Sequence, residues 1–390
     1  MLSVLKTKST LILPKFDLES GITLHSVEVV YKTWGTLNSA RNNVMVVCHP
    51  FTGNVDADEW WGTLMGRGRA FDPTRFFIFC ANVLGSPYGT SSPVSINPSS
   101  GRRYGPEFPD TTIRDDVRLH KLVLDYLGVS SVAVVIGGSM GGMAALEWPL
   151  CFPGFVKRII PMATCAKHSA WCIGWGEAQR QAIYSDAAFQ GGYYERQPTS
   201  GLAAARMAGL LTYRSRDSYE QRFGRRTVQS PDQQKAQDKK GLTEDTNRPL
   251  YSAQSYLLYQ GAKFAAKFDA NCYIHITHKM DTHDITRDRV PPGLDEAQAL
   301  SLVLGELPAH ALILSIDTDG LCLPVEQKIL ADGIPKAELA TISSLAGHDG
   351  FLVECERIND IVVAYLRRQL QQFYGDGGNQ VNSTQLVGLF

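Results

Sequence analysis

Ser139 is the residue best placed by its neighbours to do chemistry. It sits in VAVVIGGSMGGMAAL, where Gly137-x-Ser139-x-Gly141 joins an apolar, β-branched run to an Ala/Leu-rich helical one. A chain that reverses from strand to helix in so few residues holds its central serine in a strained conformation, so its neighbours must be small. Ser139 Oγ then stands at a helix N-terminus, where free N–H groups and the helix dipole favour negative charge. That is the environment of a nucleophile whose reaction develops an oxyanion. Met140 N–H is one candidate donor to that oxyanion. The other is Phe51 N–H, in the CHPFTG loop after the strand-like VMVV, since Pro50 has no N–H to give. A spectator serine in a glycine-rich turn is the alternative.

A serine nucleophile needs a base, and the base needs an acid to orient it. In chains built on this elbow the order is serine, acid, histidine. ILSIDTDGLCLP supplies Asp317 and Asp319 at the end of a strand-like run. Strand alternation puts both on one face, so periodicity does not separate them. Asp319, further out and next to Gly320, is preferred, with Asp317 in reserve. ISSLAGHDGF supplies His348 after the next strand. His310 precedes the acid and is out of order. The expected triad is therefore Ser139, Asp319 and His348, with Asp319 fixing the tautomer of the base. A second cluster, HITHKMDTHD, holds His275, His278 and His283. It lacks an HExxH pattern, and on a helix the three would not share a face, so no metal is expected.

Elements to position these residues are legible. Val44–Cys48, Phe76–Val83, Ser131–Ile136, Arg158–Met162, Ala311–Asp317 and Leu339–Ser343 read as strands. A helix capped by Thr112 and ending near Gly128 lies between the second and third, and a last helix covers Gly350–Phe373. Alternation of this kind predicts an α/β fold, a mostly parallel sheet with helices on both faces. Residues 168–300 carry helical periodicity only. They are expected to form a helical cap inserted into a core of residues 1–167 and 301–390, with 226–249 a polar mobile loop.

Composition narrows the function. Hydrophobic residues at 44% and charged residues at 20% describe an ordinary globular chain. A net charge of −1 offers no basic stripe for nucleic acid or anionic lipid. No apolar run approaches the roughly 20 residues of a membrane span, and no secretory signal is read. The eight cysteines are scattered without a CxxC pair, which suits free thiols in a reducing cytoplasm.

The chain resembles the homoserine O-acetyltransferases, with features of the related deacetylcephalosporin C acetyltransferases. YKTWGTLN, WWGTLMGRGRAFD, YGPEFPDTTIRDDVR, GGSMGGMAALEW, ARMAGLLTYRSRDSYEQRFGR and GHDGFLVE carry the resemblance in family order, over about residues 20–370. It implies the α/β-hydrolase fold. It also implies a ping-pong reaction in which Ser139 takes acetyl from acetyl-CoA, a co-substrate, and passes it to the hydroxyl of L-homoserine, with no bound cofactor. Arg206 would hold the amino acid's carboxylate, Tyr213 would lie near the same site and Asp349 would hold the ammonium. The resemblance further implies a homodimer joined through cap helices. HPFTG stands where the family usually has HALTG, and GSPYGTSSP where many members have GGxxGxTGP. These departures bear on donor and acceptor. A larger alcohol as acceptor, or ester or thioester hydrolysis, are the alternatives.

Overall fold

The computed structural model of the chain describes residues 6–228 and 250–375. Within them one sheet of eight strands runs in the order β1-β2-β4-β3-β5-β6-β7-β8. The strands are β1 (Lys6–Asp17), β2 (Thr23–Trp34), β3 (Val44–Cys48), β4 (Phe77–Ala81), β5 (Val132–Gly138), β6 (Ile159–Met162), β7 (Leu312–Ile316) and β8 (Glu338–Ile342). From β4 onward all pairings are parallel; β1–β2 and β2–β4 are antiparallel. The central strands β3 and β5 are buried along their whole length. Helices on both faces explain that continuous apolar character.

Six strands lie within one or two residues of expectation. The N-terminal hairpin does not follow from the sequence pattern. Its strands pair in register from Lys6↔Trp34 to Asp17↔Thr23. β1 is the sheet edge, is largely exposed beyond Lys8 and contains Pro14. An edge strand tolerates proline and polar residues on both faces, so no apolar alternation marks it.

We label the longer helices α1 (Ile113–Tyr126), α2 (Met140–Cys151), α3 (Ala170–Tyr184), α4 (Thr199–Tyr213), α5 (Arg216–Arg222), α6 (Ser252–Ala265), α7 (Ala270–Asp281), α8 (Glu296–Gly305), α9 (Pro324–Gly333) and α10 (Cys355–Gln369). Thr112 caps α1 as expected: its hydroxyl accepts from Asp115 N, and the Asp115 carboxylate accepts from Thr112 N. The expected single helix from Gly350 to Phe373 is broken at Glu354 (ψ 40°), between a short turn at Gly350–Val353 and α10. Trp61 Nε1 donates to Phe351 O at 3.0 Å, occupying the carbonyl that a continuous helix would offer to Cys355.

Helices α3 to α8 all lie between β6 and β7. The expected mobile loop falls outside the described residues from 229 onward. Its edges meet: Thr227 and Tyr251 form an antiparallel bridge. Among the described residues no helix is long and apolar enough to cross a membrane.

A buried ion pair fastens the inserted helices to the core. Lys279 on α7 donates to both oxygens of Asp116 on α1, at 2.8 and 2.6 Å, and to Leu84 O at 2.7 Å. Both side chains are almost fully excluded from water. Removing one partner strands the other as a buried charge, which typically costs about 3–5 kcal/mol. Lys279→Ala is therefore expected to lower unfolding free energy by about that amount in urea titration. A loss below about 1 kcal/mol, the scale of an exposed ion pair, would contradict this reading.

Candidate active site

The elbow is built by close approach. Ser139 has φ 56° and ψ −125°, a conformation that costs a non-glycine residue about 1–3 kcal/mol. Its backbone is pinned on every side. Ser139 N donates to Met162 O at 3.0 Å, and Ser139 O accepts from Gly142 N, Met143 N and the Thr164 hydroxyl. A Cβ on Gly137 would lie 2.3 Å from Gly141 O, and one on Gly141 would lie 2.2 Å from Cys48 O. Those two glycines let β3, β5 and the start of α2 converge under the serine.

Asp319 and His348 arrive from the far side of the inserted helices. Asp319 follows β7; its Oδ1 accepts from Leu321 N at 2.8 Å and Cys322 N at 2.9 Å. Its Oδ2 lies 2.7 Å from His348 Nδ1. His348 Nε2 lies 2.9 Å from Ser139 Oγ. The three form one chain of hydrogen bonds from acid to hydroxyl, with imidazole and carboxylate nearly excluded from water. Burial alone would lower the His348 pKa; the charge and hydrogen bond of Asp319 outweigh it and raise the pKa above its ordinary value. Asp317, the reserve candidate, is elsewhere: its carboxylate accepts from Ser344 N at 3.0 Å and ties the β7 loop to the β8 loop.

The two N–H groups expected to meet an oxyanion come from separate segments. Met140 is the first residue of α2, so its N–H has no partner within the helix. The loop bearing Phe51 is held by His49, whose Nδ1 lies 2.9 Å from Pro50 O while Nε2 accepts from Val83 N at 3.2 Å. Burial lowers the His49 pKa to about 4, so the ring stays neutral and can accept. The Phe51 ring packs on Tyr273 (centroids 4.8 Å apart) and Phe268 (6.5 Å). Its bulk therefore seals the loop against the inserted helices.

Ser139 and His348 open into a cavity of about 110 Å³ roofed by α3, α4 and α7. Phe51, Arg206, Tyr213 and Asp349 all line it. The Arg206 guanidinium lies over the rings of Phe264 (4.7 Å) and Tyr213 (5.5 Å). Asp349 sits beside the imidazole. Burial raises its pKa above the ordinary carboxylate value, against the opposing charges of Arg214, His348 and Arg206. Arg214 was missed from sequence: its Nε lies 2.8 Å from Asp349 Oδ2, in an orientation too poor for a hydrogen bond. Its place directly after Tyr213, at the end of α4, is the signal that could have found it. Gly347 marks the same junction, since at φ 69° a Cβ there would lie 2.5 Å from Ser215 N.

The histidine-rich segment serves packing. His275 Nε2 lies 2.8 Å from the Thr111 hydroxyl, and His283 Nε2 lies 3.1 Å from Cys165 O. Among the described residues no group of three or more metal-ligating side chains is placed to hold an ion.

The α/β-hydrolase-fold family model matches residues 43–354. Homoserine O-acetyltransferase of Cryptococcus neoformans var. grubii is 45% identical, over 93% of this chain and 88% of the relative. That of Saccharomyces cerevisiae is 43% identical, over 96% and 91%. Among solved structures, homoserine O-acetyltransferase from Bacillus anthracis superposes with a TM-score of 0.81 at 26% identity, covering 93% of this chain and 98% of that one. Esterase E22 superposes with a TM-score of 0.80 at 26% identity, covering 93% and 100%. The chain belongs to the homoserine O-acetyltransferase family, acyltransferases of the α/β-hydrolase fold.

Proposed function

We propose that the chain transfers acetyl from acetyl-CoA to the hydroxyl of L-homoserine through an acyl-Ser139 intermediate. The observation that carries this reading is one cavity lined by a nucleophile–base pair, an arginine and an aspartate. Ser139 Oγ passes its proton to His348 Nε2 as it attacks the thioester carbonyl. The oxyanion is met by Met140 N–H and Phe51 N–H, two dipoles already oriented before charge develops. The carbon–sulfur bond then breaks and the CoA thiolate takes the proton from His348. The acceptor hydroxyl enters, gives its proton to His348 and attacks the acyl carbon; the bond to Ser139 Oγ breaks and that oxygen takes the proton back from His348.

Arg206 and Asp349 offer opposite charges to the two ends of an amino acid, and Tyr213 stands between Arg206 and His348. The Arg206 guanidinium is stacked on the rings of Phe264 and Tyr213, which leaves the N–H groups of its fork for a substrate carboxylate. Arg214 lies 2.8 Å from Asp349 and favours its charged form against burial. The inserted helices act as the cap that excludes water from the acyl-enzyme. Exposed Leu211, Leu258 and Tyr259 on α4 and α6 support pairing of two copies through that cap.

Release of CoA thiol tests the reading, measured with no acceptor, with L-homoserine and with L-serine. Release that depends on L-homoserine supports it. Fast release without acceptor would make the protein a hydrolase, the activity named for esterase E22 on the same fold. A release that stops near one equivalent in all three would place the acyl group on Ser139 and deny it to L-homoserine. Arg206→Leu is expected to raise the KM for L-homoserine about 100-fold, the scale of losing a charge-paired contact. The single-turnover burst from acetyl-CoA should stay within a few-fold. An unchanged KM would remove Arg206 from the acceptor site.

A further inference from the structure

Beside the triad lie three thiols that acyl transfer does not use. Cys165 follows β6, Cys172 is the third residue of α3, and Cys322 stands three residues beyond Asp319. All three are buried and free. Cys322 directly follows Leu321, whose carbonyl lies 3.3 Å from the Cys172 thiol.

Two observations single out Cys172 and Cys322. Both line the cavity that contains Ser139, so a small solute that reaches the serine reaches them; Cys165 is not in that lining. The start of α3 is also clamped to the loop carrying Asp319. Trp171 Nε1 donates to Gly320 O at 3.1 Å, and the Cys172 thiol donates to Leu321 O at 3.3 Å. Successive helix residues thus grip successive carbonyls of the acid loop and bring Cys172 to the residue next to Cys322.

The pair is also chemically unequal. Cys172 lies in the first turn of α3, with its N–H on the Ser169 hydroxyl. Contact with Cys322, ahead of opposing burial, lowers its pKa, and a helix N-terminus favours a thiolate. Cys322 is pushed the other way by contact with Cys165 and Cys172 and by burial. One thiol is suited to attack and the other to resolve.

We propose that Cys172 and Cys322 form an oxidation site, closed by hydroperoxides into a disulfide that locks α3 to the catalytic acid loop. The Cys172 thiolate attacks the peroxide oxygen; the O–O bond breaks and, with hydrogen peroxide, one water leaves, giving a sulfenic acid. The Cys322 thiol attacks that sulfur; the S–S bond forms, the S–O bond breaks and a second water leaves. In total, two thiols and one hydrogen peroxide become one disulfide and two waters. Cys322 N is a donor to Asp319, so drawing Cys322 toward α3 disturbs the acid that orients His348 and narrows the cavity wall.

The test exposes the full chain to hydrogen peroxide, then maps disulfide-linked peptides by mass and measures acyl transfer before and after dithiothreitol. The expected result is a peptide linking Cys172 to Cys322 and an activity loss of about 100-fold, the order that a 1 Å displacement in an active site costs. Dithiothreitol should restore it. Cys172→Ala and Cys322→Ala, each compared with its own untreated activity, should keep most of theirs. The peptide map does not depend on which acyl donor or acceptor is used, so it stands apart from the acetyl-transfer reading. A link through Cys165, no link at all, or equal inactivation of both variants would overturn the proposal.

Discussion

Ser139→Ala is expected to lower kcat for acetyl transfer about 10⁶-fold, the loss seen when a serine nucleophile is removed from a working triad. The residue holds no other structural duty through its side chain: Ser139 Oγ bonds to His348, while the elbow is pinned by backbone contacts. The fold should therefore survive. Ser139→Gly sharpens the test, because glycine accepts φ 56° without the strain a side chain brings. It should be as inactive as alanine and about 1 kcal/mol more stable, since the elbow then stores less strain. Substantial activity in either variant, measured as acetyl-dependent CoA release, would dismiss the acyl-serine route.

Asp319→Asn is expected to lower kcat about 10⁴-fold, as the wrong tautomer of the base is then favoured. Its pH profile gives a second reading. His348 acts as a base only when neutral, so activity is lost as pH falls through its pKa. Asp319 raises that pKa against the opposing effect of burial. The acid limb of kcat/KM should therefore lie above the ordinary histidine value in the native chain. With Asp319 neutralised, only the weaker effects of Asp349 and Cys172 oppose burial, and the limb should move to lower pH. Asp317→Asn is the control. Its carboxylate accepts one backbone N–H, a role an amide oxygen can fill, so kcat should change by no more than a few-fold. If the two variants exchanged their effects, the acid assignment would be reversed.

Much of this arrangement could be read before any coordinates. G-x-S-x-G between a β-branched run and an Ala/Leu run fixes a position in space, since the strand–turn–helix context leaves the serine one place to stand. Order along the chain gave His348 over His310. The choice between Asp317 and Asp319 was not available from periodicity, because residues two apart share a strand face. It depends on which carboxylate the Leu321 and Cys322 N–H groups hold toward the imidazole. The N-terminal hairpin was hidden because its outer strand is exposed and carries no alternation. The Arg214–Asp349 contact was hidden because it joins the end of an inserted helix to a turn in the core, a distance of 135 positions along the chain. Local patterns record what a segment does for itself. They carry little about which distant segment it meets.

The placement of helices α3 to α8 has a consequence during synthesis. β6 and β7 are neighbours in the sheet, joined at Met162 and Leu314, yet roughly 150 residues of chain come between them. At about 5–20 residues per second, a ribosome needs about 8–30 s to travel from one to the other. Throughout that interval the nascent sheet ends at β6, whose outward N–H and C=O groups are an open template for another strand. The chain also holds its nucleophile long before its base exists. A half-made protein is thus catalytically silent and at its most adhesive; the arrival of β7 covers the edge of β6, and the silence lasts until His348 follows β8. Slowed translation across residues 163–311 should therefore reveal itself as lost soluble yield before it reveals itself as lost specific activity.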